Sequence, residues 1–203
     1  MSGSLYIVAA PSGAGKSTLV NALLAREPGI ELSISHTTRA PRPGEADGEH
    51  YHFTTLAAFE RLIAEDQLLE HALVHGNRYG TARSAVEPRL AAGRDVLLEI
   101  DYQGARAVRR VMPEAVGIFI LPPSREELER RLRRRAQDSE AVIQERLEGS
   151  REEIRHALEF DYVIVNDRFD QALEDLTAIV RGQRLRRAVQ TERLRSLIEA
   201  LLA

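Results

Sequence analysis

The stretch Leu5-Tyr6-Ile7-Val8-Ala9-Ala10-Pro11-Ser12-Gly13-Ala14-Gly15-Lys16-Ser17-Thr18 decides the fold. An apolar run delivers the chain to a sheet, a turn of small residues follows, and Gly-Lys-Ser-Thr opens a segment with helical apolar spacing. That order suits a nucleotide phosphate site. Small residues let backbone N–H groups curl around phosphate oxygens, and the helix points its positive end at the anion. Lys16 then reaches the β/γ-phosphates, and the Ser17 hydroxyl ligates or orients Mg²⁺. One position departs from the G-x-x-x-x-G-K-[ST] pattern, since Ala10 replaces the first glycine; alanine serves there if its φ stays negative. Residues Ala10, Pro11, Ser12, Gly13, Ala14, Gly15, Lys16, Ser17 and Thr18 therefore read as a phosphate loop, in preference to a Gly-rich turn with an incidental lysine.

Working outward, 203 residues with 43% hydrophobic and 29% charged content predict one globular unit with a sizeable core. No run of about 18 uncharged apolar residues suggests a membrane span. The start shows no basic segment followed by a cleavage site, because residues 5–10 are short and lead into the loop. Zero cysteines exclude disulfides, thiolate chemistry and Cys-based zinc sites, and a cytoplasmic location is the expectation. The net charge of −3 hides clustered arginines, among them Arg39, Arg42 and the run Arg130 to Arg135. With few aromatics and no groove-reading motif, these predict phosphoryl binding and no nucleic-acid partner.

Apolar strands alternate with helical patterns. Strands are expected at 5–9, 31–36, 68–75, 95–100, 116–121 and 162–165, the last buried. Helices are expected at 16–26, 55–64, 84–92, 103–111, 124 onward, 139–158 and over most of 168–203. Ser124 with Glu127 has capping-box spacing. The class is α/β, with a parallel sheet flanked by helices. The polar block 31–83 reads as an insertion.

Three constellations bear on the ligand. In Ser35-His36-Thr37-Thr38-Arg39-Ala40-Pro41-Arg42-Pro43-Gly44-Glu45, two arginines in a proline-stiffened loop form a clamp for a dianion, because each planar fork pairs with two oxygens; Tyr51 adds a hydroxyl. In Leu69-Glu70-His71, a carboxylate beside hydroxyl donors suits a purine edge. Glu70 would accept from guanine N1–H and its exocyclic amine, with Ser35 or Thr81 serving O6. Adenine lacks both donors and would leave Glu70 unpaired. Finally, Glu99 and Asp101 end a strand where an α/β sheet meets its ligand, and either suits Mg²⁺ waters or a nucleotide hydroxyl; Ser17 and Asp101 are the metal candidates.

Together with 76–81, Ile100-Asp101 followed by Gln103-Gly104, 119–124 and Ile164-Val165-Asn166-Asp167, these motifs resemble guanylate kinase in its bacterial form, over nearly the whole chain. The resemblance implies a phosphate-loop core (1–30, 84–123 and 160–203), a GMP-binding insertion (about 31–83) and a helical lid (about 124–159). It implies transfer of the γ-phosphoryl group of ATP to GMP with Mg²⁺, with dGMP a candidate acceptor and a homo-oligomer compatible. By position, the GMP site falls on Ser35, Arg39, Arg42, Tyr51, Glu70, Tyr79, Thr81 and Asp101. The lid arginines fall on Arg131, Arg135 and Arg146, and Asn166 lies near the ATP base. Lys16, Arg39, Arg42, Arg131, Arg135 and Arg146 are the implied catalytic cations. The lid reads Arg133-Arg134-Arg135-Ala136 where Arg-Gly-Arg-Gly is usual, which implies a stiffer hinge. A non-catalytic binding module would lose Lys16-Ser17-Thr18, and a kinase for another phosphorylated small molecule would lose Ser35, Glu70 and Thr81; both sets stand.

Overall fold

The computed structural model describes residues 3–74, 76–134 and 140–203. Its core is a parallel sheet of five strands: β1 (Leu5–Ala9), β2 (Ile30–Ser33), β7 (Asp95–Glu99), β8 (Val116–Leu121) and β9 (Tyr162–Val165). The order across the sheet is β2-β7-β1-β8-β9. A second sheet, ordered β4-β3-β6-β5, is built from β3 (His36–Thr37), β4 (His52–Phe53), β5 (Leu68–Val74) and β6 (Asn77–Ala82).

Alternation along the central strands divides the core. Tyr6, Val8 and Leu97 face one side, against Leu19, Val20 and Leu23 of α1 (Lys16–Arg26) and Leu176 and Val180 of α7 (Phe169–Arg184). Leu5, Ile7, Val96 and Leu98 face the other side. There they meet Val86 and Leu90 of α3 (Arg83–Ala91) and Ala105 and Val108 of α4 (Tyr102–Val111). Burial on both faces is why these strands read as continuous apolar runs. Helix α2 (Leu56–Ala64) starts at Thr55, whose hydroxyl accepts the Ala58 N–H, and it buries Phe59. Helices α5 (Arg125–Arg134) and α6 (Glu140–Arg155) share a small core of Leu128, Leu132, Ile143 and Leu147. The Ser124 hydroxyl accepts the Glu127 N–H at 3.1 Å, as the capping spacing predicts. Helices α8 (Arg187–Arg193) and α9 (Arg195–Leu202) complete the chain.

Three local expectations are corrected. The segment 31–36 is two strands, because the chain leaves β7 after Ser33 and pairs with β6 and β4 from His36. Across the switch the buried positions are the polar Ser33, Ser35 and Thr37, while Leu32 and Ile34 are half-buried, so the polar–apolar alternation carries no sign of the change of sheet. Residues 77–82, outside the strands expected from the sequence, form β6, an inner strand of the second sheet. Strand β9 is an edge strand that buries only Ile164, while Tyr162, Val163 and Val165 are exposed. A four-residue apolar run shows that a strand exists without showing how many neighbours it has. Among the described residues, no helix is long and apolar enough to cross a membrane.

Candidate functional site

The loop between β1 and α1 takes its shape from two left-handed glycines, Gly13 (φ 93°) and Gly15 (φ 91°). A Cβ on Gly15 would meet Asn166 Nδ2 at 2.5 Å, so that position needs glycine on both counts. Ala10 carries no such demand, because among the described non-glycine residues only Asp66 has positive φ. The loop is also braced from behind. The Ala14 carbonyl accepts from Asn166 Nδ2 at 2.8 Å and from the Arg131 guanidinium at 3.3 Å. Arg131 also donates to the Asn166 carbonyl at 3.0 Å and to Glu127 at 2.6 Å. Both side chains thus sit under the loop rather than in the cavity. Arg135 lies outside the described residues.

Strands β1 and β7 run parallel with Val8 opposite Glu99, which brings the acid to the mouth of the loop. The Ser17 hydroxyl donates to Glu99, and Lys16 Nζ lies 3.6 Å from the same carboxylate. Asp101 is turned to α4, where its Oδ1 accepts the Gly104 N–H at 2.8 Å and its Oδ2 accepts from Gln103 at 3.1 Å. Among the described residues, no group of three or more His, Cys, Asp or Glu is placed to form a metal cage. An open pair of oxygens, Ser17 and Glu99, fits Mg²⁺, which is held by one or two carboxylates together with substrate phosphates and water.

Across the cavity, the second sheet supplies the other half. Glu70 on β5 lies opposite Thr81 on β6, after an irregularity in the register between Leu68 and Glu70. The Thr81 hydroxyl donates to Glu70 Oε1 at 2.7 Å, with both side chains buried. Burial pushes the Glu70 carboxyl up to about 7, the Thr81 hydrogen bond works against this, and the Asp101 charge adds to it. A Cβ on Gly104 would come within 2.8 Å of Glu70 Oε2, so this glycine gives the carboxylate its room. Arg39 meets both oxygens of Glu45 at 2.9 Å and lies 5.3 Å above the Tyr51 ring. Glu45 Oε2 also accepts the Arg42 N–H at 2.7 Å. Burial works to raise the Glu45 pKa, but the Arg42 N–H and the Arg39 guanidinium prevail and hold it low. The Tyr51 ring packs edge-on to Tyr79, with centroids 5.8 Å apart. Burial, with Glu99 adding, raises the Tyr51 phenol, which stays a donor.

One cavity of 470 Å³ joins the two halves. Its wall includes the loop (except Ala14), Ser35, Arg39, Arg42, Tyr51, Glu70, Tyr79, Glu99, Asp101 and, from α6, Arg146. Thr81 stands behind Glu70, and of the two candidates for guanine O6 only Ser35 reaches the cavity wall. Three residues escaped the sequence reading as functional elements, and a fourth, Glu99, was read as a candidate for Mg²⁺ waters but not as the partner of Ser17. Glu45 was visible as an acid three residues beyond Arg42 in the stiff loop. Gly104 was noted without its closeness to Glu70. Glu153 of α6 lines the cavity with no local signal at all.

A family model described as Guanylate kinase matches residues 2–183. The guanylate kinase of Xanthomonas oryzae pv. oryzae is 60% identical over 202 residues, with all of both chains covered. That of Methylobacillus flagellatus is 57% identical, again over the full length of both. Among solved structures, guanylate kinase from Anaplasma phagocytophilum superimposes with a TM-score of 0.78 at 36% identity, covering 92% of this chain and 88% of that one.

Proposed function

Because the chain belongs to the guanylate kinase family, we propose that it transfers the γ-phosphoryl group of ATP to GMP, giving ADP and GDP. One observation carries the reading: a single 470 Å³ cavity is walled on one side by the phosphate loop and on the other by an arginine–tyrosine clamp and a buried carboxylate. Both nucleotides then meet in one cavity, as direct transfer requires.

The loop N–H groups and Lys16 hold the ATP phosphates. Arg39 and Arg42, with the Tyr51 and Tyr79 hydroxyls, hold the GMP phosphate; Glu45 fixes the Arg39 fork, so little freedom is lost on binding. Glu70 accepts from guanine N1–H and its amine, Thr81 fixes the carboxylate, Ser35 serves O6, and Asp101 lies beside Glu70 at the head of α4. Ser17 and Glu99 would hold Mg²⁺, with Asp101 reached through water; the ion neutralises charge between the ATP phosphates when bound.

A GMP phosphate oxygen attacks the γ-phosphorus as its bond to the bridging oxygen breaks, and ADP leaves with that oxygen. The nucleophile is already largely dianionic, since its second pKa is about 6, so no general base is required. Rate then comes from alignment and charge neutralisation. Arg146 faces the phosphates from α6, while Arg131 and Asn166 act through the Ala14 carbonyl by keeping the loop in shape. The reaction belongs to purine nucleotide metabolism; the proposed partners are nucleotides and not nucleic acid, and the proposed location is the cytoplasm. Purified protein with ATP and Mg²⁺ and, separately, GMP, AMP, UMP or CMP should release ADP with GMP alone. Equal turnover of AMP would sink the base-reading assignment.

A further inference from the structure

Glu153 is an acid of the cavity for which the transfer reaction has no use. It lies on the face of α6 that also brings Val142 and Arg146 to the cavity wall, in keeping with helical spacing. Its Oε2 accepts the backbone N–H of Ser12 at 3.2 Å. That N–H belongs to the turn of small residues whose amides suit an anion, so a carboxylate of the protein stands on the surface meant for phosphate. Its neighbours are mixed. Burial pushes the carboxyl up to about 7, the Ser12 N–H and Lys16 at the start of α1 oppose this, and Asp101 ahead of α4 adds to it. Tyr102, the first residue of α4, also senses its charge. On its own helix, Glu152 is turned to Arg155 and His156 instead.

We propose that Glu153 competes with the donor nucleotide for the phosphate loop: its carboxylate holds the Ser12 N–H in the free enzyme and must give up its charge when a nucleotide phosphate arrives. The proposal rests on the reading that this loop takes the phosphates of ATP and ADP. Two anions on one partly buried cradle repel, and proton uptake by the weaker acid relieves the conflict. The binding-competent fraction is then the fraction with Glu153 neutral, and apparent affinity is reduced by that fraction. Glu153 thereby keeps ADP from binding too tightly above neutral pH.

Calorimetric titration of ADP with excess Mg²⁺ tests this on wild type and E153Q at pH 6, 7 and 8. The ratio of the two affinities at each pH cancels the titration of ADP itself. E153Q retains an oxygen for the Ser12 N–H but cannot ionise. It should bind ADP about tenfold more tightly than wild type at pH 8, about twofold at pH 7 and equally at pH 6. Equal or weaker binding by E153Q at pH 8, as a merely structural contact would give, overturns the proposal, and so does a gain that is constant with pH. If E153Q shows no cooperative melt, E153A replaces it with the same expected ratios. Wild type that binds no ADP at any pH would instead refute the phosphate-loop reading.

Discussion

The two walls of the cavity hold their ligands by different means. The phosphate loop offers backbone N–H groups and Lys16, and it keeps its form through Gly13, Gly15 and a carbonyl braced by Asn166 and Arg131. The facing sheet offers side chains from β5, β6 and the stiff loop beside them, two of which are fixed by a second side chain: Glu70 by Thr81, and Arg39 by Glu45. The loop thus recognises phosphate, which every nucleotide carries, whereas the facing wall can tell one base from another. Damage to the loop should stop transfer, and damage to the facing wall should change what is accepted.

The largest effect is expected on the loop side. Lys16→Ala should lower kcat by about a thousandfold or more, in the range of losing a preorganised electrostatic contact of about 4 kcal/mol, as measured by coupled ADP release. On the facing wall, Glu70→Ala should cut the GMP:AMP ratio of kcat/KM by about a hundredfold, because the guanine donors lose their buried acceptor. Loss of kcat with unchanged base preference would place Glu70 in the wrong half. Glu45→Ala should raise KM for GMP about tenfold through a loosened Arg39, with a smaller change in kcat.

The smallest effect concerns stability. The folded value of Glu70, about 7, lies above the ordinary carboxylate value of 4.5. Its contribution to folding is therefore complete below about pH 4.5 and is lost as pH rises through 7. Glu70→Gln, which cannot ionise, should gain on wild type by about 1–3 kcal/mol between pH 5 and pH 8, or roughly 2–12 °C in Tm. Melting curves at the two pH values would show this. A gap that stays constant with pH would mean that Glu70 is not held in a costly ionised state.

The same contrast explains what could be read from the chain. The limits of β1, the start of α1 and the path of the loop follow from fourteen consecutive residues, because apolar run, glycines and helix start are all local signals. The parallel core was legible from β7 and β8, which are apolar on both faces. The second sheet was harder. Its inner strand β6, Asn-Arg-Tyr-Gly-Thr-Ala, contains no long apolar run, and the change of sheet between Ser33 and His36 leaves no mark in the pattern. Glu70 and Thr81 could be named from the sequence, but their bond depends on the hairpin register and its irregularity. Asn166, Arg131 and Glu153 reach the loop from 152, 117 and 141 residues away. Such placements arise only from the folded whole.

The most direct test puts γ-labelled ATP, Mg²⁺, GMP and AMP in one tube with the enzyme and follows the label. The account predicts label in GDP, with little in ADP or in free phosphate, since the two walls join transfer to guanine recognition. Label distributed equally between GDP and ADP, or released as free phosphate, would contradict it.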